Sequence, residues 1–134
     1  ELQAEYTSLF IARFPKVPCK PYQSFFESQT LMGNATFETE KFYSLFGLDW
    51  GDELPDRANL QLDFAAFLLD LERRLSQSDE KQKVRKIFNE FFKRHIAWME
   101  QLARCVEENT QLEPLKELMK YFKDFLKGER NYLT

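Results

Sequence analysis

Phenylalanine and leucine recur along this chain at helical spacing, and only four glycines and five prolines interrupt them. Steps of three and four residues put side chains on one face of a helix, whereas a half-buried strand needs alternation. So few turn-forming residues leave little room for the many tight turns of a sandwich or barrel. The spacing therefore predicts an all-α fold of long helices with few connections. Large rings bury much area each, so the 14 Phe among 134 residues can build a core from few side chains. At this length the natural reading is one domain, a helical bundle over residues 1–134.

The clearest stripe is Leu60, Phe64, Phe67, Leu68, Leu71 and Leu75, which defines a helix over about 57–76 with Asp56 placed to cap it. Leu62, Ala65 and Ala66 widen the stripe, so this helix is expected to be buried on more than one side. Ahead of it, Leu2, Tyr6, Leu9, Phe10 and Phe14 share a face over 2–14, ended by Pro15 and Pro18. Residues 15–35 read as a long connection holding the aromatic run Pro21-Tyr22-Gln23-Ser24-Phe25-Phe26. Thr36 is placed to cap a short helix carrying Phe37, Phe42, Leu45 and Phe46, with Gly47 closing it. An acidic connection follows, with Asp49, Asp52, Glu53 and Asp56 around Trp50, Leu54 and Pro55. After a break at 76–79 the apolar pattern runs from Val84 to Val106. That is long for one helix, and a bend is expected near His95. Pro114 suits the first turn of a last helix, which Gly128 should stop.

Charge narrows the partners. The net charge of −3 disfavours nucleic acid. The charge is uneven: residues 1–76 carry the acidic excess and residues 77–134 a slight basic one. An acidic first half can attract a basic peptide. Cys19 and Cys105 lack a CxxC or zinc spacing and read as free thiols of a reducing compartment. No apolar run approaches the roughly 20 residues of a membrane span, so direct membrane insertion is not expected. No signal peptide is visible, and the chain opens inside a helical pattern without an initiator Met, which suggests missing N-terminal residues.

Catalytic chemistry is thin. A single His, His95, cannot make a His-based metal site or a triad unaided, and on a helix it reads as a surface or cap residue. There is no Glu-x-x-His pair and no phosphate-binding glycine loop. The expectation is no catalytic residue, no metal and no cofactor. The enzyme alternative is a helical metal- or nucleotide-dependent catalyst built on the carboxylates from Asp49 to Asp63. A second alternative is a generic helix-in-groove adaptor.

Binding is better supported. Pro21 to Phe26 offers aromatic surface, and Leu54-Pro55-Asp56-Arg57 joins an apolar pair to a charged pair at a helix start. Asp56 either caps that helix or points outward to meet an Arg of a bound peptide. Several stretches together resemble the redox-enzyme maturation chaperones of the TorD, DmsD and NarJ type. They are Glu5-Tyr6-Thr7-Ser8-Leu9-Phe10, Pro21-Tyr22-Gln23-Ser24, Phe42-Tyr43-x-x-Phe46-Gly47-Leu48, and Leu54-Pro55-Asp56-Arg57 followed by Leu60-Gln61-Leu62-Asp63-Phe64 and Phe67-Leu68. His95 with Trp98 is similar to the family's later helix. The chain departs from the pattern at Arg57, where the family usually has His. It also lacks the further helices that usually precede the Glu-Tyr-Thr stretch.

The resemblance implies a cytoplasmic, non-catalytic TorD-like helical bundle lacking its N-terminal helices. It implies binding of the leader, often a twin-arginine signal peptide, of the apo form of a molybdenum redox enzyme's catalytic subunit, during cofactor insertion and before export or assembly. The expected peptide contacts are Tyr6, Phe10, Tyr22, Phe25, Phe26, Leu54, Pro55, Asp56, Arg57 and Phe64. Asp56, helped by Asp52 and Glu53, would attract the leader's basic end. Ordering a leader is costly, so roughly micromolar, reversible binding is expected. A monomer or a dimer that exchanges helices both fit.

Overall fold

The structure, a computed structural model, describes residues 2–11 and 17–133, with backbone alone for 131–133. Seven α-helices follow one another among these residues: α1 (Leu2–Phe10), α2 (Gln23–Ser28), α3 (Asn34–Leu45), α4 (Ala58–Arg74), α5 (Ser78–Phe91), α6 (Met99–Asn109) and α7 (Glu113–Leu133). A π-helical turn, Phe92–Ile96, joins α5 to α6. The described residues hold no strand, only an isolated bridge between Tyr22 and Arg57. The all-α expectation is met.

The core is built from the rings whose spacing drew attention. Phe64 of α4 is nearly fully buried. Its ring lies 4.7 Å from that of Phe91, 5.1 Å from Tyr43 and 5.8 Å from Phe46, centroid to centroid. Such tilted and edge-on pairs add to the area term through ring quadrupoles. α5 enters this core with Asp79 and Glu80 in its first turn, where the helix dipole favours them.

The bend expected near His95 is the π turn, in which the Ala97 N–H donates to the Phe92 carbonyl five residues back. The extra residue rotates the register. As a result Phe91, Phe92, His95, Ile96, Trp98 and Met99 are all buried, more than one face of an unbroken α-helix would take in. α6 and α7 then pack antiparallel. Lys123 pairs with Glu107, and Arg130 with Glu100, so residue numbers rise on one helix as they fall on the other.

Several local expectations need correction. Cys19 and Cys105 are not free thiols: they form a disulfide with Cα atoms 5.9 Å apart, which removes the thiol argument for a reducing compartment. It ties the segment before α2 to α6 beside a small second core of Leu9 and Val106. α2 occupies Gln23–Ser28, so the aromatic run is half helix and not an open loop. α3 begins at Asn34, with Gly33 and not Thr36 at its cap. Thr36 is buried, its hydroxyl hydrogen-bonded to that of Ser24.

The cap of α4 is Arg57, without a side-chain cap bond, because the Asp56 carboxylate is committed elsewhere. On α4 Leu62 and Ala66 face solvent, while Gln61 is buried beside Phe64, Ala65 and Leu68. The stripe therefore runs along Gln61 and does not widen through Leu62. α7 continues past Gly128, which nothing crowds. Phe14 and Pro15, expected at the end of the first helix, lie outside the described residues.

Candidate functional site

Three of the ten residues expected to bind a peptide, Tyr6, Tyr22 and Arg57, meet at one corner of the molecule, and Arg57 satisfies the other two. The bridge between Tyr22 and Arg57 brings the start of α2 against the start of α4. There the Tyr22 hydroxyl donates to Glu53 Oε1 at 2.8 Å. Arg57 pairs with the other oxygen of Glu53 at 3.4 Å and donates to Asn59 at 2.6 Å. Its second terminal nitrogen lies 3.4 Å from the Tyr6 hydroxyl, and its guanidinium sits 6.0 Å over the Tyr22 ring. Of the charges that were to attract a basic leader, Glu53 is already paired with the chain's own Arg57, while Asp52 is exposed without an ion pair among the described residues.

Asp56 does not point outward. It is fully buried, and one carboxylate oxygen accepts from the Ser24 N–H at 2.8 Å, capping α2 and not α4. Its other oxygen has no hydrogen-bond partner among the described residues. Pro55 is buried and Leu54 half-buried. Phe26 packs on Trp98 at 5.6 Å, Phe25 meets Phe26 edge-on, and the Lys20 ammonium lies over Phe25. Phe10 is half-buried against the second core. Phe64 belongs to the main core.

Beneath α2 lies a polar network that the sequence did not reveal. Gln23, Gln61, Thr39 and His95 are fully buried. Gln23 Oε1 accepts from Gln61 Nε2 and meets His95 Nδ1, both at 2.8 Å. Because an amide oxygen only accepts, His95 must carry its proton on Nδ1. Trp98 donates its indole N–H to Gln61 Oε1 at 2.7 Å. Burial, reinforced by the nearby Arg94 charge, pushes the His95 imidazole down to about 4. His95 is thus a neutral part of the core and not the surface or cap residue its isolation suggested.

A different region is open. Leu48 and Trp50, in the connection after α3, face Leu60, Phe64 and Phe67 of α4 across a hollow of about 240 Å³, with Tyr43 at its base and Asp49 and Asp63 completing the lining. Trp50 lies 5.9 Å from Tyr43, and Phe67 stacks at 6.0 Å from Phe64. Burial, together with Asp56 and Asp63, pushes the Tyr43 phenol well above its ordinary value. Its hydroxyl donates to the Pro55 carbonyl at 2.8 Å, which holds the connection and α4 together.

The carboxylates at the trough differ from those at the Tyr22 corner and around Arg94. Glu27 and Glu38 share Arg94, and Glu53 holds Arg57. Neither Asp49 nor Asp63 has an ion pair among the described residues; Asp49 only accepts from the Gly51 N–H. Of the ten expected contacts, only Phe64 lines the trough. Asp63 and Trp50 were visible in the sequence, but no local signal put them together. Asp56 is buried away from the solvent that Asp49 and Asp63 face. Among the described residues no group of three or more His, Cys, Asp or Glu is placed to hold a metal. No described helix is long and apolar enough to cross a membrane.

Comparison with known proteins bears on this geometry. Residues 1–104 match the family model of the nitrate reductase delta subunit. A crystal structure of a proposed redox enzyme maturation protein from Archaeoglobus fulgidus aligns with a TM-score of 0.64 and 33% identity, covering 94% of this chain. This chain spans 65% of the length of that one. No curated protein sequence matches.

Proposed function

The chain belongs to the nitrate reductase delta subunit family, and from that membership and the open aromatic trough we propose that it is a cytoplasmic maturation chaperone without catalytic activity. Its client is the apo form of a molybdenum redox enzyme's catalytic subunit. The chain holds that subunit's N-terminal leader, of the twin-arginine type, until the cofactor is in place and the subunit is ready for export or assembly.

The observation that carries the proposal is the trough between the 48–50 connection and α4. It is walled by aromatic rings, open to solvent and unfilled by the described side chains. A leader supplies an apolar stretch that folds as an amphipathic helix, and one or two of its large side chains suit a hollow of this size. Each Å² of apolar surface covered stabilises the complex by about 25 cal/mol before the cost of ordering the leader is subtracted. The balance is modest, as reversible hand-off requires.

The test has two stages. The chain is used to recover its client from the native host, and the client's N-terminal segment is then titrated against the purified chain. The reading expects a molybdenum-enzyme subunit whose isolated N-terminal segment binds at roughly micromolar affinity. A client held through its folded body, with a silent N-terminal segment, contradicts it.

A further inference from the structure

We propose that the outward face of α7 is a self-association surface, on which α7 of a second copy of this chain docks antiparallel. The surface lies on α7 and does not involve the trough, so it stands apart from the client reading given above.

α7 carries two apolar stripes. The inner one, Leu115, Met119, Phe122 and Leu126, packs on the two cores. The outer one, Leu118, Tyr121 and Phe125, is left to solvent: these side chains are 57%, 73% and 57% exposed. The solvent side of a surface helix is ordinarily polar, so a second stripe calls for a partner. Exposed apolar side chains on other helices are more widely spaced. On α3, Lys41 stands between Phe37 and Leu45, and on α4 the small Ala66 stands between Leu62 and Leu69. On α7 large residues follow at steps of three and four, the spacing of a seam between two helices.

The register identifies the occupant. A further step of three leads from Phe125 to Gly128, where the space a side chain would take is open. A twofold axis crossing the pair level with Lys123 sets Tyr121 beside Phe125 of the second copy and Leu118 over Gly128 of the second copy. Each contact occurs twice, ring on ring and large side chain on open position, as an isologous knobs-into-holes seam requires. The bordering charges are mixed, Glu117 and Asp124 with Lys120 and Lys127 about one turn away. No band of one sign opposes pairing. The three side chains present roughly 400 Å² per copy, and the pair with its flanking stems buries about 1,000 Å², the lower end for specific interfaces. The dimer is therefore weak and depends on concentration.

The test is sedimentation equilibrium of the full chain from about 5 µM to 1 mM. The wild type is expected to pass from monomer to dimer with a midpoint of roughly 50 µM. Phe125→Lys should weaken the dimer at least about 20-fold. Phe37→Lys, at an exposed apolar position of α3, should change it less than about twofold. Gly128→Leu separates pairing from helix stability. It should raise the thermal midpoint, since leucine favours a helix over glycine, yet weaken the dimer about tenfold by filling the space that Leu118 of the second copy needs. All three positions are exposed, so the variants should fold, which circular dichroism checks.

A chain that stays monomeric over the whole range overturns the proposal, as does a dimer unaffected by Phe125→Lys or by Gly128→Leu. A monomer that co-sediments with phosphatidylglycerol vesicles would assign the outer stripe to a lipid surface and overturn it equally.

Discussion

Two surfaces of this molecule are made of the same materials, aromatic rings beside carboxylates, and differ in one respect. At the Tyr22 corner the chain supplies its own cation: Arg57 covers Tyr22 and pairs with Glu53. At the Trp50 trough no cation is supplied by the described residues, and Asp49 and Asp63 face the hollow. The first surface is a joint that fastens the start of α2 to the start of α4. The second is a surface with something left to bind. Residue type alone does not distinguish a joint from a site; what decides is whether the groups already satisfy one another.

The contrast can be broken most forcefully at the tether behind the joint. The Cys19–Cys105 disulfide closes a separation of 86 residues. Chain-entropy reasoning for a loop of that length gives about 4.6 kcal/mol of stabilisation. Cys105→Ser is expected to lower the unfolding free energy by about that amount in urea without reductant. An unchanged midpoint would mean that packing alone keeps the joint in place.

Acid should act next, through the network under α2. The His95 imidazole is held near 4 in the folded chain, against about 6.5 unfolded. A depressed value means that the unfolded chain takes up the proton first. Stability is therefore full above about pH 6.5 and is lost as the pH falls toward 4, by about 3 kcal/mol at the lower end. His95→Gln should flatten that window in pH-dependent unfolding. A slope that persists in the variant would assign it to other groups.

Trp50→Ala removes a wall of the trough and should weaken binding of the client's leader by about 2 kcal/mol, roughly 30-fold. Arg57→Ala, on the joint, is expected to cost about 1 kcal/mol of stability and to change leader affinity less than twofold. The two variants sharpen the comparison between them. If Arg57→Ala weakened leader binding and Trp50→Ala did not, the roles assigned to the two surfaces would be exchanged.

The fold was legible because the Phe and Leu spacing fixes helix type and one buried face; α4 and α5 follow it, while α7 forms as a helix but leaves Leu118 and Phe125 exposed. The joint was half legible. Tyr22, Glu53 and Arg57 were visible, but Asp56 precedes α4 by two residues and looks like its cap. Only tertiary structure shows the Ser24 N–H competing for it. Gln61 could have been found, since positions 61, 64, 65 and 68 make one helical face, and a polar residue on such a face signals a buried partner. The trough was not legible, because nothing local places Leu48 and Trp50 against Leu60 and Phe67. Nor does any spacing rule pair cysteines so far apart in sequence.

The two tryptophans allow a direct test of the claim that a partner docks on the trough. Trp50 is half-exposed at its wall, and Trp98 is buried beneath α2. With both replaced by 5-fluorotryptophan, the fluorine NMR spectrum should show the Trp50 signal moving as the client's N-terminal segment is added, while the Trp98 signal stays in place. Saturable binding of that segment with the Trp50 signal unmoved would contradict the account.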